Sequence, residues 1–296
     1  MIEEFLSNHG YCSTNKKFKE LTTVKMGGDI AYYVEPYSMN DLKEIIDFLK
    51  NHRISFKVIG NGSNLICGSN KYNGVVIKLN RLNNYQINDD DTVYVESGVM
   101  IPFLSRILAN EGLSGLEFAS GIPGNFGGLT YMNAGAYLKE MKDVIVSVNV
   151  LRDNEIITMS NEELDFSYRD SIFKHHPHWV ILSGIIKVER KNKEEILELI
   201  ENRFQRRKTS QPIEAFSAGS CFRNPSDNAA WKLIDSIGYR GYKLNGVEVS
   251  NKHSNFIVNT GNGKSEDYLA IAYDIQQKIK DKYGINLILE VEKFNC

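Results

Sequence analysis

The apolar positions of this chain change period repeatedly, and the changes mark out its elements. Ala31 to Glu35 is a short apolar run that reads as a strand. After Ser38 the spacing becomes helical, with Leu42, Ile45, Ile46 and Leu49 on one face, and Ser38 with Asp41 gives the helix start. Ser55 to Gly60 and Gly74 to Leu79 read as buried strands separated by the loop Gly60-Asn61-Gly62-Ser63-Asn64. A hairpin is predicted around Asp89-Asp90-Asp91 with Thr92 to Glu96 as its second strand, then a helix from Pro102 that Gly112 terminates. Val144 to Leu151 and Glu155 to Thr158 form a second hairpin about Asp153-Asn154, and Val180 to Val188 is a further strand. Lys193 to Arg207 is helical, with Ile196, Leu199, Ile200 and Phe204 expected on its buried face. After Gln211-Pro212 the pattern restarts: a helix at Ala229 to Ile237, strands at Gly246 to Val249 and Asn255 to Val258, and a helix at Asp267 to Lys282. Asn286 to Phe294 alternates as a strand that returns to an earlier sheet.

Composition narrows the class of protein without choosing a function. The 296 residues include 35 basic and 37 acidic side chains for a net charge of -2, which disfavours a basic nucleic-acid binder. Fifteen Tyr, 14 Phe and a 42% apolar content disfavour disorder. The opening Met1-Ile2-Glu3-Glu4-Phe5-Leu6 has no cationic and apolar leader pattern, so a cytoplasmic location is expected. Cys12, Cys67, Cys221 and Cys296 are widely spaced, which suits free thiols rather than a zinc ribbon or a disulfide framework. Phe118 to Leu138 carries no charge and is long enough to cross a bilayer, but its five glycines and Pro123 make a poor spanning helix. Such a run implies backbone packed against something large.

Two Gly-rich loops are the sharpest local features: Gly60 to Asn64, and Gly121-Ile122-Pro123-Gly124-Asn125-Phe126-Gly127-Gly128. Loops of this kind expose N–H groups to phosphate oxygens, and a tight structural turn is an equally good reading of each alone. Neither is a Rossmann fingerprint, because Leu65 stands where the third glycine belongs, and neither closes as a P-loop. Ala218-Gly219-Ser220-Cys221-Phe222 lacks the second glycine of a nucleophile elbow. His175-His176-Pro177-His178 lacks partner ligands elsewhere, so no metal is assigned. Tyr168-Arg169-Asp170 alone reads as a salt-bridged turn, and Glu290 as the wet face of a terminal strand.

The order of the motifs changes this picture. Thr23-Val24-Lys25-Met26-Gly27-Gly28, Gly60 to Asn64, Gly112 to Gly124, Met132-Asn133-Ala134-Gly135-Ala136-Tyr137, Tyr168-Arg169-Asp170-Ser171 and Gly219 to Pro225 follow one another in a way that resembles the UDP-N-acetylenolpyruvoylglucosamine reductase family, in its shorter second type. The resemblance runs from about Leu21 to Phe294. It implies an α+β chain: the FAD-binding fold of the vanillyl-alcohol-oxidase type, in two α+β subdomains, plus a C-terminal α/β substrate-binding domain. The expected boundaries are 1–78, then 79–207 joined by the terminal strand 286–296, then 208–285. The implied activity is NADPH-dependent, FAD-mediated reduction of the enolpyruvyl ether of UDP-N-acetylglucosamine to UDP-N-acetylmuramate, in ping-pong fashion, in peptidoglycan precursor synthesis. A monomer without nucleic-acid or membrane partners is expected.

By the same resemblance, Arg169 and Glu290 stabilise an enol-type intermediate and Ser220 donates the proton to it. Gly60, Asn61, Gly62, Ser63, Asn64, Ser120, Gly121, Ile122, Pro123, Gly124, Gly127, Gly128, Asn133, Ala134 and Gly135 are expected at the FAD, and Tyr168, Lys208, Asn224 and His253 at the substrate. The types suit the chemistry: a fixed guanidinium opposes charge developing on a carboxylate, and a carbanion-like centre is basic enough to take a hydroxyl proton. Cys221 is also an acid, but successive strand residues point to opposite faces. The chain departs from the family pattern at Asn125-Phe126, where a Thr and a small aliphatic residue are usual, and at Leu138, which replaces a Gly. Competing readings are a flavin oxidase of the same fold and a non-catalytic flavin- or UDP-sugar-binding regulator.

Overall fold

The computed structural model describes residues 1–296. The chain divides into two compact units: Met1–Thr14, Tyr32–Asn61 and Gly74–Gln205 make unit 1, and Asn15–Ala31, Gly62–Asn73 and Arg206–Cys296 make unit 2.

Unit 1 is built on two sheets. The first runs in the order Gly10–Ser13, Ile30–Pro36, Tyr72–Lys78, Phe56–Ile59, with an antiparallel first pair and a parallel last pair. The helix Met39–Asn51 lies between its strands in sequence, capped as predicted by the Ser38 hydroxyl on the Asp41 amide at 3.1 Å. Its predicted face is buried: Leu42, Ile45, Ile46 and Leu49 share a core with Val34, Val75, Ile77 and with Leu151, Val180 and Leu182 of the second sheet. That second sheet is antiparallel throughout, in the order Glu155–Ser160, Ile145–Arg152, Val180–Lys187, Thr92–Glu96, Tyr85–Ile87. The helix Ile101–Asn110 begins with Pro102 in its first turn and ends before Gly112, which takes the left-handed φ of +69°.

Two expectations in unit 1 are corrected. The uncharged Gly-rich run contains a helix, Phe126–Tyr131, which glycine content concealed. Fully buried Phe126 packs on the strand Val180–Lys187 at Gly184, where a Cβ would come within 2.6 Å of the ring. In the helix Lys193–Ser210 only Ile196 and Ile200 are buried, against Ala109, whereas Leu199 and Phe204 are exposed at 40% and 38%. That helix rests on a narrow stripe, and the remainder of its surface is mostly charged and polar around exposed Leu199 and Phe204.

Unit 2 carries an antiparallel sheet in the order Phe216–Ser220, Phe256–Asn259, Val247–Val249, Lys243–Leu244. The helices Ala230–Ser236 and Ser265–Tyr283 bury Leu233, Ile234, Ile271, Ile275 and Ile279 in the core of this unit. The terminal segment departs from expectation. Only Glu292–Phe294 is strand, and it pairs in parallel with Leu65–Cys67 of unit 2 rather than with a strand of residues 79–207. Leu65–Cys67 is three residues long and follows directly on a Gly-rich loop, too short to show a period of its own. No helix is long and apolar enough to cross a membrane.

The hairpin Gly135–Ala136 to Lys139–Glu140 turns through Tyr137 and Leu138 at φ of +56° and +62°, the left-handed pair of a two-residue turn. Tyr137 is held there by its hydroxyl on the Arg203 carbonyl at 3.1 Å and by the Arg203 guanidinium over its ring. Leu138 is fully exposed. The left-handed conformation costs an L-residue about 1–2 kcal/mol and glycine's extra chain freedom costs about 0.5–1 kcal/mol. Leu138→Gly is therefore expected to raise stability by roughly 0.5–1 kcal/mol, read as a higher urea midpoint at unchanged slope.

Candidate functional site

In unit 1 the start of the first Gly-rich loop, Gly60-Asn61, lies against the second. Asn61 donates from its side chain to the Pro123 carbonyl at 2.8 Å, and a Cβ on Gly60 would stand 2.7 Å from Asn125 Oδ1. Asn125 is the N-cap of Phe126–Tyr131, its Oδ1 accepting from the Gly128 amide at 3.0 Å. The amides of Phe126 and Gly127 donate to the Val99 and Ser97 carbonyls. Gly127 and Gly128 thus serve close packing, with a Gly127 Cβ only 1.9 Å from Ser97 Oγ, and their N–H groups are engaged within the protein. The Asn61 amide meets no acceptor of the protein and is available to an anion. The substitutions at Asn125 and Phe126 are accommodated, one as a cap and one as a core residue.

Arg169 sits in a two-residue turn with Tyr168, closed by reciprocal main-chain bonds between Ser167 and Asp170, and takes a φ of +58°. Its guanidinium donates to the Gly135 carbonyl at 2.7 Å and pairs with Glu140 at 3.4 Å, the two side chains being only 16% and 18% exposed. Asn133, wholly buried, builds this corner: its Nδ2 donates to Glu140 Oε2 and the Ser167 carbonyl, and its Oδ1 accepts from the Lys142 amide. The Asn133 side chain is thereby spent within the protein. Sequence reasoning missed Glu140, which has no motif and a strand-end position that many glutamates share.

In unit 2 Ser220 ends a strand whose register shifts between Ser217 and Ser220, with Gly219 at φ +78° inside the shift. A bulge of this kind re-aims the side chains that follow it. Ser220 is half-buried, whereas Cys221 and Phe222 after it are both fully buried in the core, so beyond the register shift burial does not follow strand alternation. Burial pushes the Cys221 thiol up to about 12, with the Tyr268 hydroxyl pulling the other way and Glu290 adding to the rise. Glu290 follows an isolated bridge between Leu289 and Phe222, and its amide donates to the Cys221 carbonyl at 2.8 Å. Its own carbonyl accepts from the Asn64 side chain at 2.9 Å, so part of the first Gly-rich loop holds Glu290. The Gly62 and Ser63 amides, like that of Asn61, meet no acceptor of the protein.

The remaining sequence-predicted residues of unit 2 are placed as follows. His253 is half-buried, its Nδ1 accepting from the Asn255 amide at 3.3 Å, and desolvation together with Arg240 lowers its pKa. Asn224 is exposed and its Oδ1 accepts from the Ala230 amide. Lys208 is exposed on the last turn of its helix, and its carbonyl accepts from the Lys252 ammonium. Among the histidines set aside for metal binding, His176 stacks on Trp179 and His175 pairs with Asp170, both in unit 1.

Residues 30–160 match the FAD binding domain, and residues 211–294 match the C-terminal domain of UDP-N-acetylenolpyruvoylglucosamine reductase. The reductase of that name from Caldanaerobacter subterraneus subsp. tengcongensis is 41% identical over 292 residues, which cover 98% of this chain and 96% of the relative. The chain belongs to the UDP-N-acetylenolpyruvoylglucosamine reductase family. The Bacillus subtilis member is 38% identical over 96% of this chain and 94% of its own length. The crystal structure of the Thermus caldophilus reductase matches with a TM-score of 0.79 at 31% identity, covering 96% of this chain and 98% of that one. The chain is accordingly a flavin-dependent oxidoreductase with the family's architecture, an FAD-binding domain followed by the reductase C-terminal domain.

The residues fit the flavin cofactor. Gly60 has no room for a side chain beside the Asn125 cap, and nearby amides at 61–63 are unengaged in their respective units. Unengaged backbone donors suit a pyrophosphate, and in unit 1 the Asn61 amide is such a donor, whereas the Ile122 and Gly124 amides bond within the protein and Pro123 has no N–H.

Two expectations follow. Gly60→Ala places its methyl on the Asn125 cap, so FAD affinity falls about tenfold by fluorescence titration and stability falls by about 1 kcal/mol, the usual worth of an N-cap. His253 is held neutral by the fold, so its stabilisation is full above the unfolded pKa of about 6.5 and is lost as pH falls through it toward the lower folded value. Urea midpoints of the wild type should fall from pH 7.5 to 5.5, and His253→Gln should flatten part of that slope.

Proposed function

We propose that this chain reduces the enolpyruvyl ether of UDP-N-acetylglucosamine to UDP-N-acetylmuramate, with NADPH as hydride donor, by a ping-pong sequence in peptidoglycan precursor synthesis. FAD held by the Gly-rich loops would supply the redox chemistry, carrying hydride from NADPH to the methylene carbon of the substrate. Everything else falls to the chain's own groups. Hydride on the methylene carbon leaves negative charge on the adjacent carbon and on the carboxylate. Arg169, already oriented by Glu140 and the Gly135 carbonyl, opposes that charge without reorganising. Ser220 gives its proton to the adjacent carbon, completing the addition of hydride and proton across the double bond. Glu290 orients the enol or the water that returns the Ser220 proton.

The observation that carries this reading is the 2.8 Å bond from the Glu290 amide to the Cys221 carbonyl, which fixes the carboxylate's backbone to that of the residue following Ser220. Asn61, Gly62, Ser63 and the 121–124 loop would hold FAD, while Tyr168, Lys208, Asn224 and His253 would meet the substrate. Cys221 is wholly buried in the core with its thiol pushed up by burial, and in this reading it takes no part as an acid.

Anaerobic stopped-flow separates the steps. NADPH should bleach the flavin band in wild type and in Ser220→Ala at similar rates. Addition of substrate should restore the band in wild type, and about 10²–10⁴ times more slowly in Ser220→Ala, the usual span for a general acid. Arg169→Ala should lose about 10²–10³ in the same step. Wild-type recovery in Ser220→Ala would remove the hydroxyl from the mechanism, and bleaching that only oxygen reverses would favour an oxidase.

A further inference from the structure

Past Ser220 the main chain leaves its sheet. The strand Phe256–Asn259 pairs with Phe216–Ser220 up to Ser220 opposite Phe256, and one more ladder bond follows, from the Cys221 amide to the Asn255 carbonyl at 2.7 Å. Beside Phe222 the neighbouring strand supplies no further main chain. The side chain of Asn255 takes its place: Oδ1 accepts from the Phe222 amide at 2.9 Å and Nδ2 donates to the Phe222 carbonyl at 2.8 Å. A primary amide offers the same donor and acceptor as a peptide unit, so it extends the ladder by one residue without any chain. Asn255 is buried, and both bonds lie out of water.

The other edge of the same segment receives the terminal chain. Leu289 bridges Phe222, the Arg223 amide donates to the Ile288 carbonyl, and the Glu290 amide donates to the Cys221 carbonyl. Cys221 and Phe222 therefore stand between Asn255 on one side and residues 288–290 on the other. Ser220 precedes this pair, directly after a register shift that contains a left-handed glycine. A bulge on one side and the end of the sheet on the other would leave the serine's backbone poorly determined without a clamp.

We propose that Asn255 is a positioning residue for the protonation step, its side-chain amide clamping the Phe222 peptide so that Ser220 and Glu290 are presented together. The Asn255 side-chain amide bonds the Phe222 main chain with both its oxygen and its nitrogen, and it acts through that main chain. The inference rests on the assignment of Ser220 and Glu290 above.

Asn255→Asp tests it through pH. Ionised, the introduced carboxylate accepts from the Phe222 amide but repels the Phe222 carbonyl, whereas protonated it restores donor and acceptor both. Titratable or charged groups around this position include His253, with Asp235 and Arg240 acting on it, Cys221 with Tyr268, and Glu290, so wild type is measured beside the variant at each pH. Substrate-driven recovery of the flavin band in Asn255→Asp is expected to be 10- to 100-fold slower than wild type at pH 8 and to return to within about threefold by pH 6. NADPH-driven bleaching should stay within twofold throughout. Asn255→Ala should be slow at both pH values. Equal slowing of both half-reactions, or a deficit in Asn255→Asp that does not depend on pH, overturns the proposal. A readout independent of turnover is amide hydrogen exchange in the unmutated protein: the Phe222 amide should exchange as slowly as that of Ile257 in the adjoining strand, and rapid exchange defeats the clamp even if neither variant folds. Ser220→Ala separates the two claims. If it recovers at the wild-type rate, the assignment of Ser220 is wrong. If it is slow while Asn255→Asp matches wild type, only the positioning role fails.

Discussion

Irregular backbone that is buried must still make its hydrogen bonds, and in this fold asparagine side chains make them. A segment that leaves helix or strand loses its ladder partners, and each unmet buried peptide group costs about 1–3 kcal/mol. Asn125 closes the start of the helix hidden in the Gly-rich run. Asn133 ties the hairpin after that helix to the Arg169 turn through three bonds. Asn259 donates to the Val24 and Lys25 carbonyls and accepts from the Gly261 and Gly263 amides, fixing two loops of unit 2 at once. Asn64 and Asn255 do the same on either side of Ser220 and Glu290. Glycine supplies the close approach that these loops need, and asparagine supplies the peptide chemistry that glycine cannot.

The same division explains what could be read from the sequence. Elements with a period long enough to count were legible: the helix after Ser38, the hairpin at Asp153-Asn154 and the helix ending at Tyr283 stand within a few residues of their predicted bounds. Elements set by a tertiary partner were not. Phe126–Tyr131 is helical because Asn125 caps it and Phe126 finds the bare face of Gly184, information that lies about sixty positions away. Glu292–Phe294 takes Leu65–Cys67 as its neighbour, and neither strand is long enough to advertise a partner. The site shows the same limit. Motif order led to Arg169, Ser220 and Glu290, whereas Glu140 and Asn255, which hold such residues in place, carry no sequence signal beyond an ordinary polar letter.

Burial distinguishes the two adjacent acidic hydrogens of unit 2. Cys221 shares its environment with Phe222, Ala218 and Tyr268, and burial lifts its pKa far above that of an ordinary thiol. Ser220 is the more exposed of the two, and it directly follows the bulge that contains Gly219. A weaker acid in the right place outranks a stronger one sealed in a core, because proton transfer requires hydrogen-bond reach before it requires a matched pKa.

Arg169 shows why a left-handed, non-glycine residue persists. Its φ of +58° carries a conformational cost that a glycine would escape. A glycine there would remove the guanidinium, which is anchored by the Gly135 carbonyl and Glu140 and stacked on Tyr168. Those contacts come from two neighbouring segments that Asn133 joins, so the turn, the hairpin and the arginine determine one another. A cation fixed this way does not have to be gathered from solvent when charge develops on a substrate, and the strain at one backbone position is the condition for holding it still.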